Sequence, residues 1–193
     1  LIESLGGETR PLVVWFYSLE NEKENRTLET SVFTNEPVAL SLRKFRTVKI
    51  DVESIQDGKL RLEYRPTPHF IVIDPKKKVL AEISGKSAVS VSRFKGFVGK
   101  AWNQLFQMRQ RDFLKAMTKI LDRLDKVSGA KTILQAKKAR LAKRPNPGKA
   151  RVLAKEEAEL AEEEAQIQKD EEEIKNHCKL RKEYLPEEAE DDE

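Results

Sequence analysis

Side chains able to make and break bonds are scarce in this 193-residue chain, which holds one cysteine, Cys178, and two histidines, His69 and His177. A single thiol excludes an internal disulfide, a cysteine-rich zinc module and a two-thiol redox cycle within one chain. His177 and Cys178 adjoin, but neighbours in sequence do not face each other on a helix, and no further His or Cys accompanies them. Cys178 reads as an isolated, semi-exposed helix cysteine, so no metal and no cofactor are expected. His69 beside a carboxylate would be an acid/base candidate. It has no third group or nucleophile with it, and no catalytic residue is assigned.

The charge pattern says more. Charged residues are 36% of the chain, against roughly 25% in an average globular domain, and they are segregated. Residues 107–151 hold 14 Lys/Arg against 3 Asp/Glu, whereas residues 152–193 hold 6 against 17. Blocks of opposite sign favour association with each other first. No stretch of 18 apolar residues occurs, so no membrane-spanning helix is expected.

These groups need elements to position them. Pro11 to Tyr17 is a continuous apolar run of strand length, as in a buried central strand. A helix is expected through Leu28, Val32 and Phe33, then a short one through Val38, Leu40 and Leu42, with Asn35 as cap and Pro37 at a first helical position. Phe45–Val52 alternates as a second strand. Phe70–Asp74 and Val79–Ile83 read as a hairpin joined by residues 75–78. Apolar residues at Val91, Phe94, Phe97, Val98, Trp102, Leu105 and Phe106 predict an amphipathic helix on the sheet. The fold class is therefore α/β: a central sheet flanked by helices over residues 1–106, followed by a long α-helical hairpin.

In that hairpin, basic helices are expected over 107–144, with Ser128-Gly129 ending one and capping the next. Arg144-Pro-Asn-Pro-Gly148 breaks the helix. An acidic helix is expected over 149–185, within an arm that ends at 186, and an acidic tail over 187–193. Leu153, Leu160, Ile167 and Ile174 repeat every seven residues. The positions three further on, Glu156, Glu163, Asp170 and His177, are polar. So thin a seam fits docking on the basic helix rather than a self-sufficient two-stranded coiled coil.

Arg10-Pro-Leu-Val-Val-Trp-Phe-Tyr-Ser18, Val48-Lys-Ile-Asp-Val52, Arg65-Pro-Thr-Pro-His-Phe-Ile-Val-Ile-Asp74 and Val79-Leu-Ala-Glu-Ile-Ser-Gly85 carry a resemblance to thioredoxin-like domains. It covers roughly residues 8–106. Thr67-Pro68, immediately before a strand, matches that family's cis-proline loop. The resemblance puts the two redox cysteines at Glu22 and Asn25, where neither a carboxylate nor an amide can attack a disulfide or resolve a mixed one. It thus implies a redox-inactive, non-enzymatic module with a peptide-binding edge at Thr67, Pro68 and His69. Relatives of that branch are often exported and the chain begins with Leu1, which slightly favours an extracytoplasmic location. A protein partner is expected. The alternative is nucleic-acid or ribosome binding through Lys131, Lys137, Lys138, Arg140, Lys143 and Arg144, where clustered cations would neutralise phosphates.

Overall fold

The structure, a computed structural model, describes residues 10–185. The acidic tail expected over 187–193 lies outside them. The described residues form two compact units: residues 10–110 with 179–185, and residues 111–178.

The first unit holds a four-stranded sheet of order β2-β1-β3-β4. Its strands are β1 (Leu12–Tyr17), β2 (Arg46–Asp51), β3 (His69–Ile73) and β4 (Val79–Ser84). β1 pairs parallel with β2, Leu12 opposite Arg46, and antiparallel with β3, Leu12 opposite Ile73; β3 and β4 form the hairpin. Central strands are covered on both faces, and Leu12–Phe16 and His69–Ile73 are buried throughout. The edge strand β2 is half-buried to exposed.

Helices α1 (Glu22–Thr27), α2 (Glu36–Leu42), α3 (Gly58–Glu63), α4 (Gly85–Ala88) and α5 (Val91–Leu105) complete this unit, and a π-helical turn over Leu28–Val32 extends α1. Leu12, Val14, Phe16, Ile71 and Ile73 face one side of the sheet and pack with Val52, Ile55 and Tyr64. On the other side Trp15 stacks on Phe70, and Phe94 of α5 meets Phe70 and Phe33 edge-on. Each such buried side chain stabilises the fold by about 1.5–3 kcal/mol relative to exposure.

The second unit is a helical hairpin. Helix α6 runs Gln110–Lys143, Gln110 itself belonging to the first unit, and α7 runs Pro147–His177. Asn146 caps α7 by accepting a hydrogen bond from the Lys149 N–H at 3.0 Å. The seven-residue seam packs as its spacing predicts: Ile167 is buried with Ile120 and Val127, and Leu124, Leu160 and Ile174 join them. The polar positions beside the seam face basic partners. Arg123 pairs with both Glu163 and Asp170, Lys131 with Glu164 at 2.6 Å, Lys137 with Glu156 at 2.8 Å and Lys138 with Glu157 at 2.6 Å. The Arg123 guanidinium holds the Asp170 carboxyl below the usual carboxylate range, helped by Gln166.

The structure corrects four expectations. Ser128-Gly129 does not break the helix: α6 passes through it, because a mid-helix glycine costs only about 0.5–1 kcal/mol while Val127 and Leu134 are buried on either side. The acidic helix stops at His177 rather than 185. Its end is set by bonds that a continuing helix would forgo: Leu180 bridges to Phe106, and the Arg181 N–H donates to Leu105 O at 2.8 Å. The Arg181 guanidinium also donates to Phe106 O and Asn103 O, at 3.1 and 3.0 Å, satisfying carbonyls that the end of α5 leaves open. The boundary expected after residue 106 therefore falls after Gln110, and residues from Lys179 rejoin the first unit. Cys178 is buried, with 3% of its surface exposed, rather than semi-exposed.

Candidate functional site

The candidate edge lies where the loop after β1 meets the turn before β3. Ser18 Oγ accepts a hydrogen bond from the Glu20 N–H at 3.3 Å and starts a single 3-10 turn, Leu19–Asn21, that delivers the chain into α1. Glu22 is the first residue of α1 and is exposed. One turn on, Asn25 is half-buried, and its Nδ2 donates back to Ser18 O at 2.9 Å. The two positions the resemblance assigns to cysteines thus hold a solvated carboxylate and an amide that braces the loop.

Opposite them, the Arg65–Pro66 and Thr67–Pro68 peptide bonds are both cis. Thr67 and Pro68 are buried. Pro68 O accepts from the Gly85 N–H at 2.8 Å, which ties the turn to the end of β4. Gly85 has φ +56°, and its Cβ position would stand 3.3 Å from Pro66, so a side chain there would be strained and crowded. Asn21 reaches across from the other loop, and its Nδ2 donates to Thr67 O at 3.1 Å and also to Thr67 Oγ1. Asn21 was not singled out in the sequence, where it sits in an unremarkable polar run. Its position directly before the helix that would carry the cysteines is the signal that marks it.

His69 is not paired with Glu22. It is 3% exposed, at the start of β3, with its ring edge-on to Phe16 and Tyr64 at centroid distances of 6.0 and 5.4 Å. Glu82 Oε1 of the neighbouring strand lies 3.1 Å from Nε2, although neither ring nitrogen makes a well-directed hydrogen bond. Burial pushes the imidazole below its ordinary range, and the Glu82 carboxylate opposes this only in part. A neutral, buried imidazole is a packing group rather than a surface on which a peptide lies. The unfolded chain takes up this proton near about pH 6.5, whereas the folded chain resists it. Stability of the first unit should therefore be full above that pH and fall as the pH drops below it. Urea titrations between about pH 7 and pH 5 should show this fall, and His69→Leu should flatten it. An equal slope in both proteins would mean that His69 does not stay neutral on folding.

The six candidate nucleic-acid residues divide into two sets. Lys131, Lys137 and Lys138 are held by Glu164, Glu156 and Glu157. Arg140, Lys143 and Arg144, nearer the tip, are exposed. Among the described residues, no group of three or more His, Cys, Asp or Glu could hold a metal ion, and no helix is long and apolar enough to cross a membrane.

No family model and no curated protein matches the chain. Among solved structures, it is similar to the solution structure of a thioredoxin from Thermus thermophilus, at 20% identity and a TM-score of 0.40, over 48% of this chain and 73% of that one.

Proposed function

We propose that this chain is a redox-inactive thioredoxin-like protein that works as a protein-interaction module and is not an enzyme. One observation supports the reading: the positions that the resemblance assigns to a thiolate and a resolving thiol hold exposed Glu22 and loop-bracing Asn25, which can do neither step. The only cysteine, Cys178, is buried, and thiol–disulfide exchange needs an accessible sulfur. An extended partner segment would add at the Thr67-Pro68 backbone. Asn21, which already bonds Thr67 O, is the group it would displace. The phosphate-binding alternative is the weaker one, because three of its six cations are paired with carboxylates of the same chain.

The test has two arms. In an insulin-reduction assay driven by dithiothreitol, the protein should not exceed the rate without protein, and Cys178→Ser should match it. A rate above background that depends on Cys178 would sink the reading. The double variant Glu22→Cys/Asn25→Cys places two thiols three residues apart on one helix, where side chains are neighbours. It should gain activity of at least about tenfold over background; no gain would mean that these are not the redox positions. In the second arm, proteins captured from the source lysate by the full chain should persist with Cys178→Ser and decline with Pro68→Ala.

A further inference from the structure

The helical hairpin has one unfinished side near its tip. On α6, Ile133, Lys137 and Arg140 follow one another at offsets of four and three residues, which aligns them on one ridge, and Arg144 lies one residue past the end of the helix. Ile133 is 60% exposed, and across the tip Val152 of α7 is 57% exposed; these are the hairpin's exposed large apolar side chains among the described residues. Between the two helices lies a groove of about 480 Å³. Lys137, Arg140, Arg144 and Lys149 line it together with apolar Leu141, Val152 and Leu153, and no carboxylate does.

The charge here is not cancelled by ion pairs among the described residues. Pairing between α6 and α7 stops at Lys137 and Lys138. Beyond them, residues 139–152 contain five cations and no carboxylate. Lys137 is held by Glu156, whereas Arg140, Arg144 and Lys149 have no ion-pair partner among the described residues.

We propose that this groove docks an acidic amphipathic helix of another protein, laid along α6 and α7 as the third helix of a local bundle. The inference is independent of the reading of the first unit, since it uses none of its residues. Two facing helices present ridges that a third helix meets with anchors at spacings of three, four and seven. Val152, Leu141 and Ile133 supply the apolar contacts. Arg140 and Arg144 match carboxylates bidentately, and Lys149 adds a point charge. A nucleic acid fits less well. No aromatic side chain lies in residues 139–152 to stack a base. The one side-chain amide there, Asn146, caps α7. The apolar walls would also gain nothing from a phosphate backbone.

Fluorescence anisotropy on the full chain tests the proposal. The probe is a labelled peptide of Glu, Leu and Ala, about five helical turns long, with leucines at spacings of three and four. Comparison probes are its scrambled version, a short DNA duplex, and vesicles of phosphatidylcholine with phosphatidylglycerol. The amphipathic peptide should bind best, and binding should weaken with salt. Arg140→Glu/Arg144→Glu should weaken it about tenfold or more. Val152→Ser should weaken it several-fold without changing the salt dependence. All three positions are exposed, and circular dichroism confirms that the variants are folded. Several results would overturn the proposal: no binding, equal binding of the scrambled peptide, tighter binding of duplex or vesicles, or indifference to Arg140→Glu/Arg144→Glu. Self-association of the chain that Arg140→Glu abolishes would also overturn it, by making a second copy the occupant.

Discussion

Trp102→Ala should destabilise the first unit by about 3–5 kcal/mol, the usual range for removing a buried tryptophan. The indole is fully buried, the largest side chain of the described residues to be so. It packs against Phe106 at 4.5 Å and Phe45 at 6.1 Å between ring centroids, joining α5 to the segment that precedes β2. Its Nε1 donates to Met108 O at 2.9 Å, fixing the short link that leads into α6. Alanine would leave a cavity and also strip Met108 O of its donor. Trp102→Phe separates the two effects, since it keeps an aromatic ring and loses mainly the hydrogen bond, worth about 1–3 kcal/mol if the carbonyl stays buried. The measurement is urea unfolding followed by tryptophan fluorescence. The chain has two tryptophans, so in either variant Trp15, within the sheet, is the sole reporter of this unit. Domains of this size have about 5–15 kcal/mol to lose, so the alanine variant should give up a large fraction of that stability. A shift below about 1 kcal/mol would mean that the α5–β2 seam is not part of the cooperative core.

What could be read from the sequence was what local pattern determines. The four strands fall within one or two residues of their expected positions because apolar runs and alternation reflect burial directly. Pro37 and Asn35 marked the start of α2 because proline at a helix start is a local backbone preference. α3 was missed: it has six residues and is set by the Asp57 carboxylate accepting from the Lys59 and Leu60 N–H groups, too short for any periodicity to show. The end of α7 was also misread. Nothing between Lys149 and Leu185 breaks a helix by composition, and what stops it is Arg181 bonding to carbonyls more than seventy residues earlier. The resemblance, rather than any local pattern, pointed to Glu22, Asn25 and Thr67-Pro68 as the candidate edge. Its central contact was not legible, because Asn21 and Thr67 are 46 residues apart and neither type announces the other.

Ile167→Ala is the matching experiment on the hairpin, and it should cost about 2–5 kcal/mol. Ile167 is fully buried, and with Ile120 and Val127 it makes the centre of the seam. A hairpin of two helices has no second layer of core to absorb a cavity at the centre of its seam. The ion pairs along the seam are the competing explanation for its stability. Apart from Arg123–Asp170, at 32% and 31%, they are at least a third exposed on one or both sides, and such exposed pairs contribute about 0–1 kcal/mol each. Salt screens them, whereas it leaves the apolar seam in place. Thermal unfolding followed by circular dichroism should therefore show an early loss of helix in Ile167→Ala, a shift much larger than that of Glu164→Gln or of 1 M salt on the unaltered protein. The reverse order would assign the hairpin's stability to its charges. In that case the groove near the tip, built on the same two helices, would open with rising salt, and loss of peptide binding in salt would no longer report direct contact with Arg140 and Arg144.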